Sequence, residues 1–171
     1  MNALVELVRA PAALTVPGDS LVGAAVSGRP ANAGLAAASV CLYWAGMALN
    51  DYADRELDAV ERPERPIPSG RVRPSTALAL ATGLTAAGLG LAALAGGRKA
   101  LGVAVPLAAT VWAYDLVLKD TPLGPVGMAA ARALDVLLGA DGVKRAVPAA
   151  LTVGAHTLAI TVLSRSEGSG A

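Results

Sequence analysis

Three long stretches of this sequence contain no charged side chain. They cover residues 30–50, 74–97 and 146–164, which are 21, 24 and 19 residues long. An α-helix rises about 1.5 Å per residue, so about 20 apolar residues are enough to cross a hydrocarbon layer about 30 Å thick. Each stretch therefore predicts a transmembrane helix, and the chain is predicted to be an integral membrane protein.

Three further stretches are apolar but contain isolated charges. They lie near residues 4–27, 100–118 and 123–140. Numbered in chain order, the six stretches are residues 4–27, 30–50, 74–97, 100–118, 123–140 and 146–164. Gly, Pro and basic residues between the stretches are typical of turns. The predicted fold class is therefore all-α, a multi-pass transmembrane bundle of about six helices in one domain over residues 1–171. The charges inside the three stretches are Glu6, Arg9, Asp19, Asp115, Arg132 and Asp135.

The composition agrees with a membrane protein and excludes other classes. Hydrophobic residues make up 54% of the chain and charged residues 16%, whereas about a quarter of the residues of a soluble domain are charged. The net charge of +1 provides no basic surface for a phosphate backbone, so no nucleic-acid partner is expected. A single cysteine, Cys41, excludes an internal disulfide. We expect the chain to be surrounded by membrane lipid.

The charged residues are concentrated in one loop. Residues 50–73 hold 11 of the 27 acidic and basic side chains, including five arginines. Cytoplasmic loops of membrane proteins are enriched in Lys and Arg. We therefore predict that this loop is cytoplasmic, in the cell (plasma) membrane, and that Lys119 and Arg165 lie on the same side. The opposite side would then contain Arg29, Arg98, Lys99, Lys144 and Arg145.

The second stretch ends in a cluster of oxygen-bearing side chains. At about 100° per residue, Asn50, Asp54, Asp58 and Glu61 share one face if the helix continues, with Asp51 beside them. Carboxylates four residues apart repel each other, so a hard divalent cation is the expected compensation. Mg²⁺ fits because it takes few carboxylates and leaves positions for water and phosphate. We predict that Asn50, Asp51, Asp54 and Asp58 are the metal ligands.

A proline-rich segment with two arginines follows the acidic cluster. Pro63, Pro66 and Pro68 fix backbone angles around Arg62 and Arg65. Rigid arginines beside a metal site favour binding of a diphosphate, because guanidinium groups match phosphate oxygens. The alternative is a solvated linker in which the arginines of this loop neutralise the acids.

These residues resemble the signature of a known family. Residues 50–58 match the motif NDxxDxxxD, and residues 65–71, RPIPSGR, match the following segment of UbiA-type intramembrane prenyltransferases. The resemblance implies a fold of usually nine membrane helices around a cavity. It also implies Mg²⁺-dependent transfer of a prenyl group from a prenyl diphosphate to an aromatic or other lipophilic acceptor. Asp54 and Asp58 would then be catalytic as well as metal-binding, and Arg62 and Arg65 would face the diphosphate.

The same family commonly has a Tyr and a Lys separated by three residues at the end of the fourth stretch. Four residues separate Tyr114 from Lys119 in this chain, so Asp115 stands at the matching position. Tyr114 would be displaced by about 100° around a regular helix. Lys119 is a candidate diphosphate ligand, and the alternative is a lysine that extends to the membrane boundary.

Ionisable residues inside the fifth stretch are candidates for the cavity wall. Charges within a membrane are costly and usually face a bundle interior. Arg132 is therefore a candidate substrate-binding residue, and the alternative is a structural ion pair with Asp135 one turn away. The acceptor needs a general base, for which Asp54, Asp115 and Asp135 remain open.

The end of the chain departs from the family pattern. A second aspartate-rich motif is expected after the sixth stretch, but residues 164–171 contain one acid, Glu167. We therefore expect a domain that is incomplete at its C-terminus. The alternative function is a non-catalytic membrane protein that binds a cation or a basic partner through its acidic helix face.

Two rival enzyme classes do not fit the acidic cluster. CDP-alcohol phosphotransferases require a Gly after the second Asp, where this chain has Arg55. Soluble prenyl synthases require adjacent aspartates, which this sequence lacks.

Overall fold

The structure is a computed structural model that describes residues 2–11 and 17–168, apart from the side chains of Pro17 and Glu167. The described residues form α-helices and no β-strand, which confirms the all-α class. A π-helical turn, Tyr114–Leu118, extends the fifth helix, and a 3₁₀ turn, Lys144–Ala146, precedes the last one. The helices are α1 (Ala3–Leu7), α2 (Pro17–Val26), α3 (Ala33–Ala53), α4 (Arg55–Glu61), α5 (Pro74–Ala113), α6 (Gly124–Gly139) and α7 (Val147–Gly168).

Helix α5 consists of two antiparallel arms. Gly97 at its middle has φ 62° and ψ −146°, a conformation that glycine adopts at little cost. The indole nitrogen Nε1 of Trp112 donates a hydrogen bond of 3.0 Å to Oγ1 of Thr85, 27 residues earlier. A straight helix would separate these residues by about 40 Å. The chain therefore reverses at Gly97, and the predicted separate helices over residues 74–97 and 100–118 are confirmed.

The first predicted stretch, residues 4–27, is not one helix. The chain forms the five-residue α1 and the ten-residue α2 instead. Arg9 has a φ of 50°, outside the right-handed helical region. Pro11 and Pro17 each lack a backbone N–H to donate within a helix. The prediction of a single span here was therefore wrong.

Within residues 2–11 and 17–168, three helices are long and apolar enough to cross a membrane. They are α3, α5 with its π turn, and α7 with its 3₁₀ turn. Because α5 is a hairpin, it supplies two arms that run in opposite directions. The shorter α2 and α6 contain Asp19, Arg132 and Asp135, and pack in the bundle beside them.

Small residues hold α3 close to both arms of α5. Ala38 and Leu42 of α3 pack with Ala92 and Ala104 of α5 in one buried cluster. A Cβ atom added at Gly88 would lie 3.0 Å from the side chain of Leu42, so any larger residue would have to displace Leu42. Such packing is typical of membrane helices. The hydrophobic effect does not drive helices together in lipid, so they associate through close contacts between small residues.

A second buried cluster joins the N-terminal helix to one end of the bundle. Leu7 of α1 packs with Leu49 of α3, Ile67 and Val72 of the following loop, and Ala77 of α5. We call this end, which holds α1, residues 50–73 and residues 114–123, the motif end. The opposite end, with residues 28–32, 95–99 and 140–146, is called the far end.

Hydrogen bonds and ion pairs link the loops at each end. Arg165 donates a hydrogen bond of 2.8 Å to the carbonyl of Thr121 at the motif end. Arg29 forms an ion pair of 3.2 Å with Asp141 at the far end. Lys119 pairs with Asp54, and Arg165 also donates to the carbonyl of Lys119. Both basic residues therefore lie on the same side of the bundle as residues 50–73, as predicted.

Candidate active site

The acidic cluster lies where α3 passes into α4. The two helices are separated by Asp54 alone, with φ −85° and ψ 3°. Its N–H donates to the carbonyl of Asn50 at 2.9 Å, and its carbonyl accepts from Asp58 at 2.8 Å. Hydrogen bonds of α-helical spacing therefore run through Asp54, although its ψ departs from the helical value. Glu61, which the sequence placed on the same face, is exposed at the end of α4.

Arg65 joins two buried carboxylates of the cluster. Its nitrogen Nη1 lies 2.6 Å from Oδ2 of Asp58 and 3.4 Å from Oδ1 of Asp51. Asp51 is 5% exposed and Asp58 is 3% exposed. Buried charges are stable only when paired and hydrogen-bonded, so Arg65 stabilises both acids.

The loop that holds Arg65 is fixed by its own hydrogen bonds. The hydroxyl of Ser69 donates to the carbonyl of Arg65 at 2.6 Å, and the N–H of Val72 donates to the carbonyl of Pro66 at 2.9 Å. Ile67 and Val72 are buried beneath α1. This organisation agrees with the rigid clamp expected from the prolines and not with a loose linker.

The other arginines of the loop do not neutralise the acidic cluster. Arg55 lies over the ring of Tyr52, 4.8 Å from its centroid, and pairs with the exposed Glu56. Arg62 is exposed, and its guanidinium has no ion-pair partner in the described part of the chain. Of the two arginines predicted to face a diphosphate, only Arg65 contacts the cluster.

The π turn at the end of α5 brings Lys119 and Asp115 to the cluster. Lys119 forms a short ion pair with Asp54. Asp115 accepts a hydrogen bond of 3.3 Å from Nδ2 of Asn50. The N–H of Lys119 donates to the carbonyl of Tyr114, five residues earlier. The wider turn, rather than a regular helix, takes up the extra residue of this chain.

A cavity lies inside the bundle next to the cluster. Its volume is about 470 Å³. Asp115 connects the two features, because it lines the cavity and also binds Asn50. Tyr114 lines the cavity as well, so it is not turned away from it. Apolar side chains from three helices provide much of the remaining wall, including Leu42, Met47, Leu107, Val111 and Met128.

Arg132 also lines this cavity, but it does not contact the acidic cluster. It donates hydrogen bonds to both carboxylate oxygens of Asp19 in α2. Asp135 instead accepts a hydrogen bond of 2.6 Å from the hydroxyl of Ser39. The alternative of a structural Arg132–Asp135 ion pair was therefore wrong.

The N-terminal segment contributes a residue that the sequence did not indicate. Arg9 places Nη2 3.2 Å from Oδ1 of Asp51, which lies 42 residues later. Nearby, Arg71 donates two hydrogen bonds, of 2.6 and 3.0 Å, to the carboxylate of Glu6. These bonds lower the pKa of Glu6 and raise the pKa of Arg71. No local spacing reveals contacts of this kind, because tertiary packing creates them.

Comparison with known proteins decides the family. The sequence profile described as "UbiA prenyltransferase family" matches residues 13–165. The chain belongs to the UbiA prenyltransferase family. The resemblance seen at residues 50–71 therefore extends over most of the chain.

Several UbiA relatives have the same name, digeranylgeranylglyceryl phosphate synthase. The protein from Methanopyrus kandleri is 43% identical over 128 residues, covering 72% of this chain and 46% of the relative. The protein from Ignicoccus hospitalis is 38% identical over 184 residues, covering 98% of this chain and 59% of the relative. The chain spans about half the length of the curated relatives it matches.

A solved structure shows the same UbiA fold. Its title is "Structural and mechanistic insights into the biosynthesis of Digeranylgeranylglyceryl phosphate synthase in membranes". The match has a TM-score of 0.77 at 23% identity and covers 91% of this chain and 57% of that chain. The helical arrangement described above is therefore the fold of that protein.

The acidic cluster of this UbiA member fits one mode of Mg²⁺ binding. In residues 2–11 and 17–168, no three acidic, His or Cys side chains are arranged to surround a metal. Mg²⁺ in phosphate-binding sites takes one or two carboxylates and completes its shell with water and phosphate. Asp51 and Asp58 would supply the two carboxylates, because both contact one guanidinium nitrogen and therefore lie side by side. Two carboxylates leave the rest of the Mg²⁺ shell to water and phosphate.

Proposed function

We propose that this chain transfers a prenyl group from a prenyl diphosphate to a lipophilic acceptor, with the diphosphate bound at the motif end. The supporting observation is the hydrogen bond between Asn50 and Asp115, which joins an ionic cluster to a largely apolar cavity. A prenyl diphosphate has the same two parts, a highly charged head and an apolar chain. Its head would lie among the charges and its chain in the cavity.

The head of the substrate would be held by a metal and by cations of this chain. Mg²⁺, bound by Asp51 and Asp58 with Asn50 and Asp54 nearby, would neutralise negative charge on the diphosphate. Arg65 and Lys119 already lie within the cluster, and the exposed Arg62 is beside it. These cations would stabilise the charge that develops on the leaving diphosphate as the allylic C–O bond breaks.

The cavity would protect the reacting carbon from water. Leu42, Met47, Leu107 and Val111 line the space beside the acidic cluster, and a prenyl chain bound against them would displace water. Such exclusion strengthens the electrostatic interactions within the site and prevents hydrolysis of a reactive carbocation. The acceptor oxygen would bond to the prenyl carbon, the diphosphate would leave, and the hydroxyl proton would pass to a carboxylate. Of the three candidate bases, Asp115 and Asp135 line the cavity.

The acceptor is proposed to be a lipid glyceryl phosphate rather than an aromatic ring. The product named in the relatives, digeranylgeranylglyceryl phosphate, has two geranylgeranyl groups on one glyceryl phosphate. Attachment of the second group would start from the lipid that already has the first. Arg132, a cation on the cavity wall, is proposed to bind the acceptor phosphate in exchange for Asp19.

Transfer by the purified full chain tests this proposal. The protein in lipid nanodiscs is incubated with Mg²⁺, labelled geranylgeranyl diphosphate and either geranylgeranylglyceryl phosphate or a phenolic acceptor. We expect labelled product only with the glyceryl phosphate and only with Mg²⁺. Asp54→Ala combined with Asp58→Ala should abolish binding of the diphosphate, whereas Asp120→Ala, an exposed acid at the same end, should not.

Binding without transfer would support the alternative function. Retention of Mg²⁺ and prenyl diphosphate, with no product from either acceptor, is the result expected of a non-catalytic membrane protein. Binding that needs no metal and survives the double substitution would contradict both functions.

A further inference from the structure

We propose that Arg9, delivered by the N-terminal helix, is a ligand of the substrate diphosphate. This inference rests on the proposed function and adds to it a residue outside the acidic and proline-rich motifs. Its guanidinium lies 3.2 Å from Oδ1 of Asp51, the same oxygen that Arg65 contacts. The residue therefore reaches the centre of the cluster from a separate part of the chain.

Arg9 is one of three cations that form ion pairs with the acids of the motif. Three acids, Asp51, Asp54 and Asp58, lie against three cations, Arg9, Arg65 and Lys119. When a divalent metal takes Asp51 and Asp58, the two arginines lose their present partners. Guanidinium groups released beside a bound diphosphate are matched to its oxygens. Arg9 would then exchange a carboxylate for a phosphate.

Arg9 is also the more accessible of the two arginines. Its side chain is 41% exposed, compared with 20% for Arg65. Asp51 also contacts Arg65, so it keeps one guanidinium neighbour when Arg9 turns away. A half-exposed cation beside a buried acid can turn towards a ligand that enters from the motif end.

The backbone around Arg9 is organised to hold it in place. Its φ of 50° lies in the left-handed region, which a residue with a Cβ rarely adopts. The N–H of Arg9 donates to the carbonyl of Glu6 at 3.0 Å, and Glu6 is held in turn by Arg71. Leu7 is completely buried in the cluster at the motif end. Strained residues of this kind are concentrated at functional sites.

Diphosphate binding by Arg9 variants tests the inference. Isothermal titration of the full chain in nanodiscs with inorganic diphosphate and Mg²⁺ gives the dissociation constant. Loss of one charge-assisted contact predicts that Arg9→Ala weakens binding by about 10- to 100-fold. Arg9→Lys should lose less, because it keeps the charge. The matched control is Arg29→Ala, which removes an exposed Arg–Asp pair of the same length at the far end and should bind normally.

Arg9→Gly separates a ligand from a purely structural residue. Both Arg9→Gly and Arg9→Ala remove the ion pair with Asp51, but only glycine also relieves the left-handed strain, so Arg9→Gly should have the higher melting temperature of the two. Weaker diphosphate binding in this more stable variant supports the inference. Unchanged affinity in both Arg9→Ala and Arg9→Gly, or an equal loss in Arg29→Ala, would overturn it. A parent protein that binds no diphosphate would instead overturn the proposed function, and the role of Arg9 with it.

Discussion

Asn50 and Asp115 lie 65 residues apart in the chain, and a hydrogen bond of 3.3 Å connects them. Asn50 belongs to the last turns of α3, and Asp115 belongs to the π turn that ends the second arm of α5. The bond therefore fixes the acidic cluster against the wall of the cavity. One substrate can bind with its charged part in the acidic cluster and its apolar part in the cavity only if the cluster and the cavity keep a constant distance.

Removal of the arginine that joins two buried acids should destabilise the protein. Arg65→Ala leaves Asp58 without its ion-pair partner and Asp51 with Arg9 alone. An uncompensated buried charge costs about 3 kcal/mol, and we expect a loss of this size in unfolding titrations with denaturing detergent. Adding Asp58→Asn removes the unpaired charge, so the double variant should regain part of the stability. A double variant less stable than Arg65→Ala would contradict this account.

Loss of the hydrogen bond between Ser39 and Asp135 in the cavity wall should also lower the free energy of unfolding. The hydroxyl of Ser39 gives Asp135 a hydrogen bond of 2.6 Å, and both residues are buried. Ser39→Ala leaves the carboxyl group without this donor, at a cost of about 1–3 kcal/mol. The same unfolding titration measures the loss. Thr152→Ala, which removes an exposed hydroxyl bonded only within α7, is the control and should change stability by less than about 0.5 kcal/mol.

The sequence predicted those parts of the fold that lipid itself determines. Uncharged stretches located α3, the first arm of α5 and α7, because a long apolar helix has one stable environment. An apolar stretch with one charge, Asp115, located the second arm. Pro11 and Pro17 explain why the first stretch is divided, although its overall hydropathy suggested a span. The NDxxDxxxD motif at the end of the second stretch also predicted that Asp51, Asp54 and Asp58 lie at one end of the bundle.

The partners of the polar residues were less predictable. Arg132 pairs with Asp19, 113 residues away, rather than with Asp135 on its own helix. Ser39 and Asp135 are 96 residues apart. Spacing within a helix reports which residues share a face, but the choice of partner depends on which helix packs against that face. Such contacts require the tertiary structure.

Shortening the π turn by one residue should be tolerated. The turn holds one residue more than a regular helix between Tyr114 and Lys119. Deletion of the exposed Val117 converts it to a regular turn while Lys119 can keep its contact with Asp54. We expect a melting temperature within a few degrees of the parent. Deletion of Val105, exposed but within the regular second arm of α5, rotates the whole following segment and should unfold the bundle. Equal damage from both deletions would contradict the prediction.

The ion pair between α1 and the motif loop should make stability depend on pH. Hydrogen bonds from Arg71 lower the pKa of Glu6 below its usual value of 4.5. A group whose pKa is lower in the folded state stabilises that state above its unfolded pKa, and the contribution is lost as the pH falls through the folded pKa. The melting temperature should therefore drop between pH 5 and pH 3 more in the parent than in Glu6→Gln. Identical profiles for the two proteins would contradict this role.

The orientation of the bundle can be tested with single cysteines. Replacing Cys41, the one cysteine of the chain, with Ser gives a background without thiols. Glu64→Cys then places a thiol in the exposed motif loop, and Ala31→Cys places one in the exposed loop at the far end. If the five arginines of residues 50–73 hold that loop in the cytoplasm, a membrane-impermeant maleimide should label Ala31→Cys in intact cells and Glu64→Cys only in inverted vesicles. The reverse labelling pattern would place the diphosphate site on the opposite face of the membrane.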